Sequence, residues 1–445
     1  MSTSADILNA LPVADSQPGP LKKLVLRFQT SEGLSSLLAV FDQGMISGTS
    51  FVSAILIGRA CGAEILGIFS LVASALAMMV GVQDQLITAP YVVNHHRCKG
   101  TALRRYAGSM LLHHLILNTL MLASLFLVVW KTQTSSDEIR TVARVLVFAG
   151  PAMLLRAFIR ELALAHCRTL HVVLLDLAVC GTQLITILLL FTTDFVQLPL
   201  MYSAVGVACV AAAVIWWKHH RTDFQFRLPG VVSHWYRNWK FGRWALATHL
   251  AGTSTPYIMP WILFLMHGRQ ATGYLASCSV IVGVANILLS GMSDYVTPRA
   301  ARSYASGGIA ELKQFLRRVL MLAVPGIGSV CVVSAIFGEQ IIAALYDGRF
   351  PGAGQIVTLM TLSVLANAIG SAAGNGLWAL HQPRANFVAD MITLTAVIAA
   401  TPALVAPYGA WGAAAASLVA CVLGAVCRTL IFRQCSAEAT ARPAR

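Results

Sequence analysis

Residues 41–71 read FDQGMISGTSFVSAILIGRACGAEILGIFSL. An acid and an amide, Asp42 and Gln43, open a run that is otherwise apolar over a membrane's width and stops at Arg59 among glycines. A helix of about 20 apolar residues crosses the hydrocarbon core of a bilayer, so the stretch reads as a membrane span. A lipid-facing Asp near the bilayer centre costs roughly 2.5 to 3.5 kcal/mol on insertion scales, so Asp42 and Gln43 should turn toward protein or a watery cavity.

The rest of the chain repeats this character. Of its 445 residues 57% are hydrophobic and 11% charged, and the mean hydropathy is +0.71. A soluble protein would carry about 25% charged residues. Twelve spans are expected, at 36–58, 66–93, 103–130, 139–160, 170–193, 196–217, 241–266, 271–297, 315–337, 352–380, 384–406 and 408–432. The expected class is an all-α integral membrane protein. A cytoplasmic arm (1–35) precedes a first six-helix lobe (36–217), a linker (218–240), a second lobe (241–433) and a tail (434–445). Residues 1–33 are polar and contain no signal-peptide core, while Leu21–Phe28 interleave apolar residues with Lys22, Lys23 and Arg27, as a surface helix would.

The formal net charge of +14 is distributed unevenly. Among the 32 basic residues, all but Arg59, Lys131, Arg140, Arg144, Arg269 and Arg349 fall on one side of the predicted topology. By the positive-inside rule that side is cytoplasmic and holds both termini. The basic excess therefore needs no nucleic acid, and no basic stripe interleaved with aromatics stands outside the span flanks. The ten cysteines form no C-x-x-C pair, and the histidine pairs at 95–96, 113–114 and 219–220 lack a second ligand pair, so neither metal nor cofactor is expected.

A shift of 206 residues sets Gly62 on Gly268, Gly67 on Gly273, Gln43 on His249 and Ser47 on Thr253. A second echo links ALAHCRTLHVVLLD (163–176) with WALHQPRANFVAD (378–390). Six spans return the chain to its starting side, so the halves are parallel repeats with a cleft between them. Gln43, Ser47 and Ser50 share one face of span one, and His249, Thr253 and Tyr257 share one face of span seven; both faces are assigned to the cleft wall. Pro256 and Pro260 would let span seven bend.

The opening stretch, with Asp42, Gln43, Arg59, Gly62, Gly67 and Phe69, resembles the first two helices of polysaccharide transporters. These are the O-antigen flippase type within the multidrug/oligosaccharidyl-lipid/polysaccharide exporter superfamily. GLWALHQPRANFVAD (376–390) and PYGAWGAAAASL (407–418) look similar to the same family. The resemblance implies two six-helix lobes, alternating access, a bacterial inner-membrane location and a lipid-linked oligosaccharide as substrate. It places membrane lipids, other polysaccharide-assembly proteins and a coupling H+ or Na+ among the partners to expect. A multidrug/cation antiporter of the same superfamily is the alternative.

Charged residues inside spans are the remaining candidates. Arg156 and Arg160 lie four apart on one face of span four, with Glu161 adjacent, and a guanidinium forks onto the oxygens of a diphosphate. They are the leading headgroup contacts; Arg59 and Arg269 stand near equivalent outer positions, where release would occur. Asp42 and Asp84 are the carboxylates suited to ion coupling. No Walker A sequence is present and the 218–240 connection is short, which counts against ATP hydrolysis and against the third reading, a membrane-embedded polymerase or glycosyltransferase. No catalytic residue is expected.

Overall fold

In a computed structural model the described residues are 32–131, 137–192, 197–253 and 255–441. They are almost entirely helical, with no strand among them. Among the described residues nine continuous helical runs are long and apolar enough to cross a membrane. Several of these runs are double, because they break at Gly62, Gly268, Gly307–Gly308 and Gly409. Counted between breaks there are twelve helices: α1 (32–61), α2 (63–94), α3 (Thr101–Lys131), α4 (Asp137–Ala165), α5 (Thr169–Thr192) and α6 (Leu198–His220) form the first half. The second half comprises α7 (Leu228–Thr253, helical again at 255–267), α8 (269–306), α9 (309–346), α10 (Ala353–Ala379), α11 (383–408) and α12 (410–441). The chain is a multi-pass membrane protein of two six-helix lobes around a central cleft. The expected surface helix at 21–28 lies outside the described residues.

Backbone geometry carries the repeat. Gly62 (φ 75°, ψ −166°) and Gly268 (φ 76°, ψ −170°) make the same break, in a region glycine alone enters at little cost. The α4–α5 and α10–α11 turns also match, at a shift of 214: Cys167 and His381 have φ of 56° and 57°. In each turn a backbone N–H closes on the carbonyl five residues back, Arg168 on Ala163 at 2.8 Å and Gln382 on Leu377 at 2.9 Å. These are left-handed helix caps that use residues with a Cβ where glycine is usual.

The lobes meet most closely at the end bearing Gly62 and Gly268, here termed distal. A Cβ on Gly67 would strike the carbonyl oxygen of Arg269, and one on Gly273 that of Ala63, so α2 and α8 cross backbone against backbone. One core spans both lobes there, with Ile57, Leu66 and Leu71 of the first beside Leu263, Tyr346 and Phe350 of the second. At the opposite, terminal end the cores are separate: Tyr91, Tyr106, Met110 and Phe158 in one lobe, Leu312, Leu316, Leu377 and Phe432 in the other.

Helix α7 breaks the symmetry. Its counterpart α1 stays on its own lobe, where Gln183 donates to Ser53 Oγ at 2.9 Å. The terminal half of α7 instead lies on the first lobe: Tyr106 donates to Asn238 Oδ1 at 2.9 Å, His234 Nδ1 sits 2.8 Å from Ser109 Oγ, and Gly242 packs against Gln85 and Leu86. Of the connection expected at 218–240, the part from Leu228 onward is thus the first turns of α7. A cavity lies between this half of α7 and α10–α12, while further along Gly252 packs against Asp390 and His267 bonds to Val405 O on α11.

Candidate functional site

In the first lobe, five charged side chains from three helices form one network around two buried carboxylates, Asp42 and Asp176. The left-handed cap folds α5 back along α4, which brings Asp176 level with Arg156 and Arg160. Asp176 is fully buried; its Oδ1 accepts from Arg156 Nε at 2.9 Å and Nη2 at 2.6 Å, and its Oδ2 from Arg160 Nε at 2.9 Å. Arg160 also donates through Nη2 to Asp42 Oδ2 on α1 at 2.8 Å and through Nη1 to Glu161 at 3.2 Å. All three guanidinium nitrogens of Arg160 are therefore engaged, and the five groups sum to a formal charge of −1. A pair this deeply buried is held by reciprocal neutralisation, and removing one partner strands the other.

The second lobe presents the same positions with different contents. Under the 206 shift Asp42 corresponds to Thr248, and under the 214 shift Arg156, Arg160 and Asp176 correspond to Gly370, Gly374 and Asp390. Two long cations are replaced by two glycines. Gly370 lets α12 pack close at Ala425, whereas Gly374 lines a cavity of about 760 Å3 between α7 and α10–α12, together with Thr248 and Asp390. Asp390 recovers a cation from elsewhere: Arg428, on α12, pairs with it and lies over Gly370 and Gly374.

The cavity is amphipathic. Exposed Trp244, Trp378 and Phe241 line it together with Gln85, Asn367, Asn375 and Asn386 and the hydroxyls of Thr248, Thr253 and Ser371. Asn386 donates to Gly374 O at 3.0 Å, while its Oδ1, like His249 Nε2, has no hydrogen-bond partner among the described residues although both residues line the cavity. Lys240, at the rim, stacks its ammonium on Tyr236 at 4.9 Å.

Other sequence candidates are dispersed. His249 and Thr253 share this cavity, whereas Tyr257 borders a separate one of about 390 Å3 with Ser74 and Trp261. Ser47 and Ser50 line a third, of about 530 Å3, between α1, α2 and α8, and Gln43 is exposed on α1. Asp84 sits in a π-helical turn, 84–88, and accepts from Thr88 at 3.0 Å. Arg59 and Arg269 join the lobes at the distal end: Arg59 donates to Ala344 O at 2.6 Å, Arg349 to Ala60 O at 3.1 Å, and Arg269 pairs with Glu64 at 2.9 Å. Sequence reasoning missed Arg428 as the partner of Asp390 and the Trp and amide lining, although Asp176 and Asp390 both close the second echo and marked the two acids as equivalent.

No protein-family profile and no curated protein matches the sequence. Solved structures do match in fold. The lipid II flippase MurJ in its inward closed conformation aligns at a TM-score of 0.71 and 13% identity, covering 92% of this chain and 91% of that one. An inward-facing multidrug resistance MATE family transporter of the MOP superfamily aligns at 0.66 and 12%, covering 95% and 99%. A MOP superfamily transporter from Pyrococcus furiosus, described as having a binding pocket of reversed polarity, aligns at 0.60 and 13%, covering 94% and 96%. At these identities the likeness is one of architecture: the chain has the fold that MurJ and the MATE transporters share.

Proposed function

We propose that the protein translocates a lipid-linked oligosaccharide, carried on an undecaprenyl diphosphate, from the inner to the outer leaflet of a bacterial inner membrane by alternating access of its two lobes. The lining of the 760 Å3 cavity carries this reading. Indole faces stack on the apolar face of a sugar ring, and amides and hydroxyls offer the paired donors and acceptors that sugar hydroxyls use. A lipophilic cation would call instead for uncompensated carboxylate, and the cavity's one carboxylate, Asp390, is already paired. Arg156 and Arg160 serve the headgroup once α1 moves and Asp42 leaves Arg160, and the Ser47 face of α1 lines the path. Cation antiport, the second reading, rests on Asp84, which no base pairs among the described contacts.

The test is complementation of a flippase-deficient strain, normalised to protein in the membrane. Trp244→Ala with Trp378→Ala should lower transport at least tenfold, each lost stacking contact being worth about 1 kcal/mol or more. Full activity of the double variant removes the cavity from the substrate path.

A further inference from the structure

Repeat-equivalent positions in the two lobes differ in the charge they offer an incoming anion. In the first lobe Arg156 and Arg160 face Asp42, Asp176 and Glu161, and every nitrogen of Arg160 is committed. In the second lobe the position equivalent to Asp42 holds Thr248, that equivalent to Glu161 holds the cavity-lining amide Asn375, and the cations are Arg428 and Lys240 against Asp390 alone. The formal sum is −1 in the first site and +1 in the second. The arginines of the two sets are similarly shielded, 17% and 23% exposed in the first lobe and 16% for Arg428, but the positive set lines a cavity of about 760 Å3.

We infer that Arg428 and Lys240 form an anion subsite in the second lobe that receives the diphosphate of the lipid-linked substrate in the conformation described here. The inference rests on the functional reading above and assigns the phosphate end of that ligand to α7 and α12. Glycines at 370 and 374 make the subsite possible: any longer side chain there would fill the space Arg428 crosses. Asp390 then acts as a placeholder, holding the guanidinium in position until a phosphate oxygen competes for it. Lys240, a flexible point charge on the rim, meets the same phosphate from the first-lobe side, because α7 at that level is docked on α2 and α3. One ligand thereby touches both lobes, which couples occupancy to their relative movement.

The experiment measures binding of farnesyl diphosphate, farnesol and glucuronate to the purified full-length protein in detergent by native mass spectrometry. Wild type should bind the diphosphate at least tenfold more tightly than the alcohol, and should bind glucuronate no better than the alcohol. Lys240→Gln, a change at an exposed side chain, should weaken diphosphate binding roughly tenfold, the scale of one charge-assisted contact. Asp390→Asn should tighten it, because the placeholder is gone and the arginine remains; a purely structural ion pair predicts no gain. Unchanged affinity in both variants, with tightening in Asp42→Asn instead, moves the phosphate to the first lobe and overturns the inference while leaving the substrate reading intact. Preference for glucuronate over the diphosphate makes the subsite one for an acidic sugar and overturns it as well. Equal binding of diphosphate and alcohol by wild type overturns both readings.

Discussion

Arg160 joins three helices through one planar group, contacting Asp42 on α1, Asp176 on α5 and Glu161 on its own helix α4. A lysine keeps the charge but cannot fork. Arg160→Lys should therefore lose at least one charge-assisted bond, worth about 1.5 to 3 kcal/mol, and transport per molecule should fall roughly tenfold or more. Complementation normalised to membrane protein reads this directly; full activity with lysine would reduce the residue to an orienting charge. The four-residue spacing of Arg156 and Arg160 was legible as one helical face. Their partners were not, because Asp176 reaches them only through a left-handed turn at Cys167, a residue type that does not advertise such a turn. Arg428 was hidden for a related reason: its pairing with Asp390 is a contact between α11 and α12 that no periodicity within either helix encodes.

At the level of elements, the α2–α8 crossing decides how the lobes close. Gly67 and Gly273 were readable as a repeat pair, and each proves to face the backbone of the opposite lobe. Gly273→Leu should force the distal ends apart, since the added side chain meets the Ala63 carbonyl rather than a flexible group. Spin labels at Lys131 and Asp347, one in each lobe, should report a longer distance in the variant than in wild type, and transport should fall. An unchanged distance would mean that the crossing is not what holds the lobes. The docking of α7 on the first lobe escaped the sequence because its contacts, Asn238 with Tyr106 and His234 with Ser109, join ordinary polar residues more than a hundred positions apart. Its terminal part, rich in Arg, Trp and His, reads as a loop by hydropathy although it is helical from Leu228.

Across the whole molecule, two lobes built on one plan have diverged at one place. The first fills the level of Asp176 with arginines and carboxylates; the second has glycines there, Gly370 packed on α12 and Gly374 lining a cavity bordered by tryptophans and amides. Lobes sealed distally by Arg59, Arg269, Arg349 and the glycine crossing, with separate cores at the terminal end, suit a rocking movement about a central site. The direct test is translocation itself. Purified protein is reconstituted into liposomes that carry a fluorescent undecaprenyl-diphosphate oligosaccharide in both leaflets, and a membrane-impermeant quencher is added outside. With protein present, quenching should proceed beyond the outer-leaflet half toward completion, and Arg160→Lys or the Trp244/Trp378 double variant should slow it. Quenching that halts at half, as in protein-free liposomes, together with uptake of a lipophilic cation driven by an H+ or Na+ gradient, would contradict it.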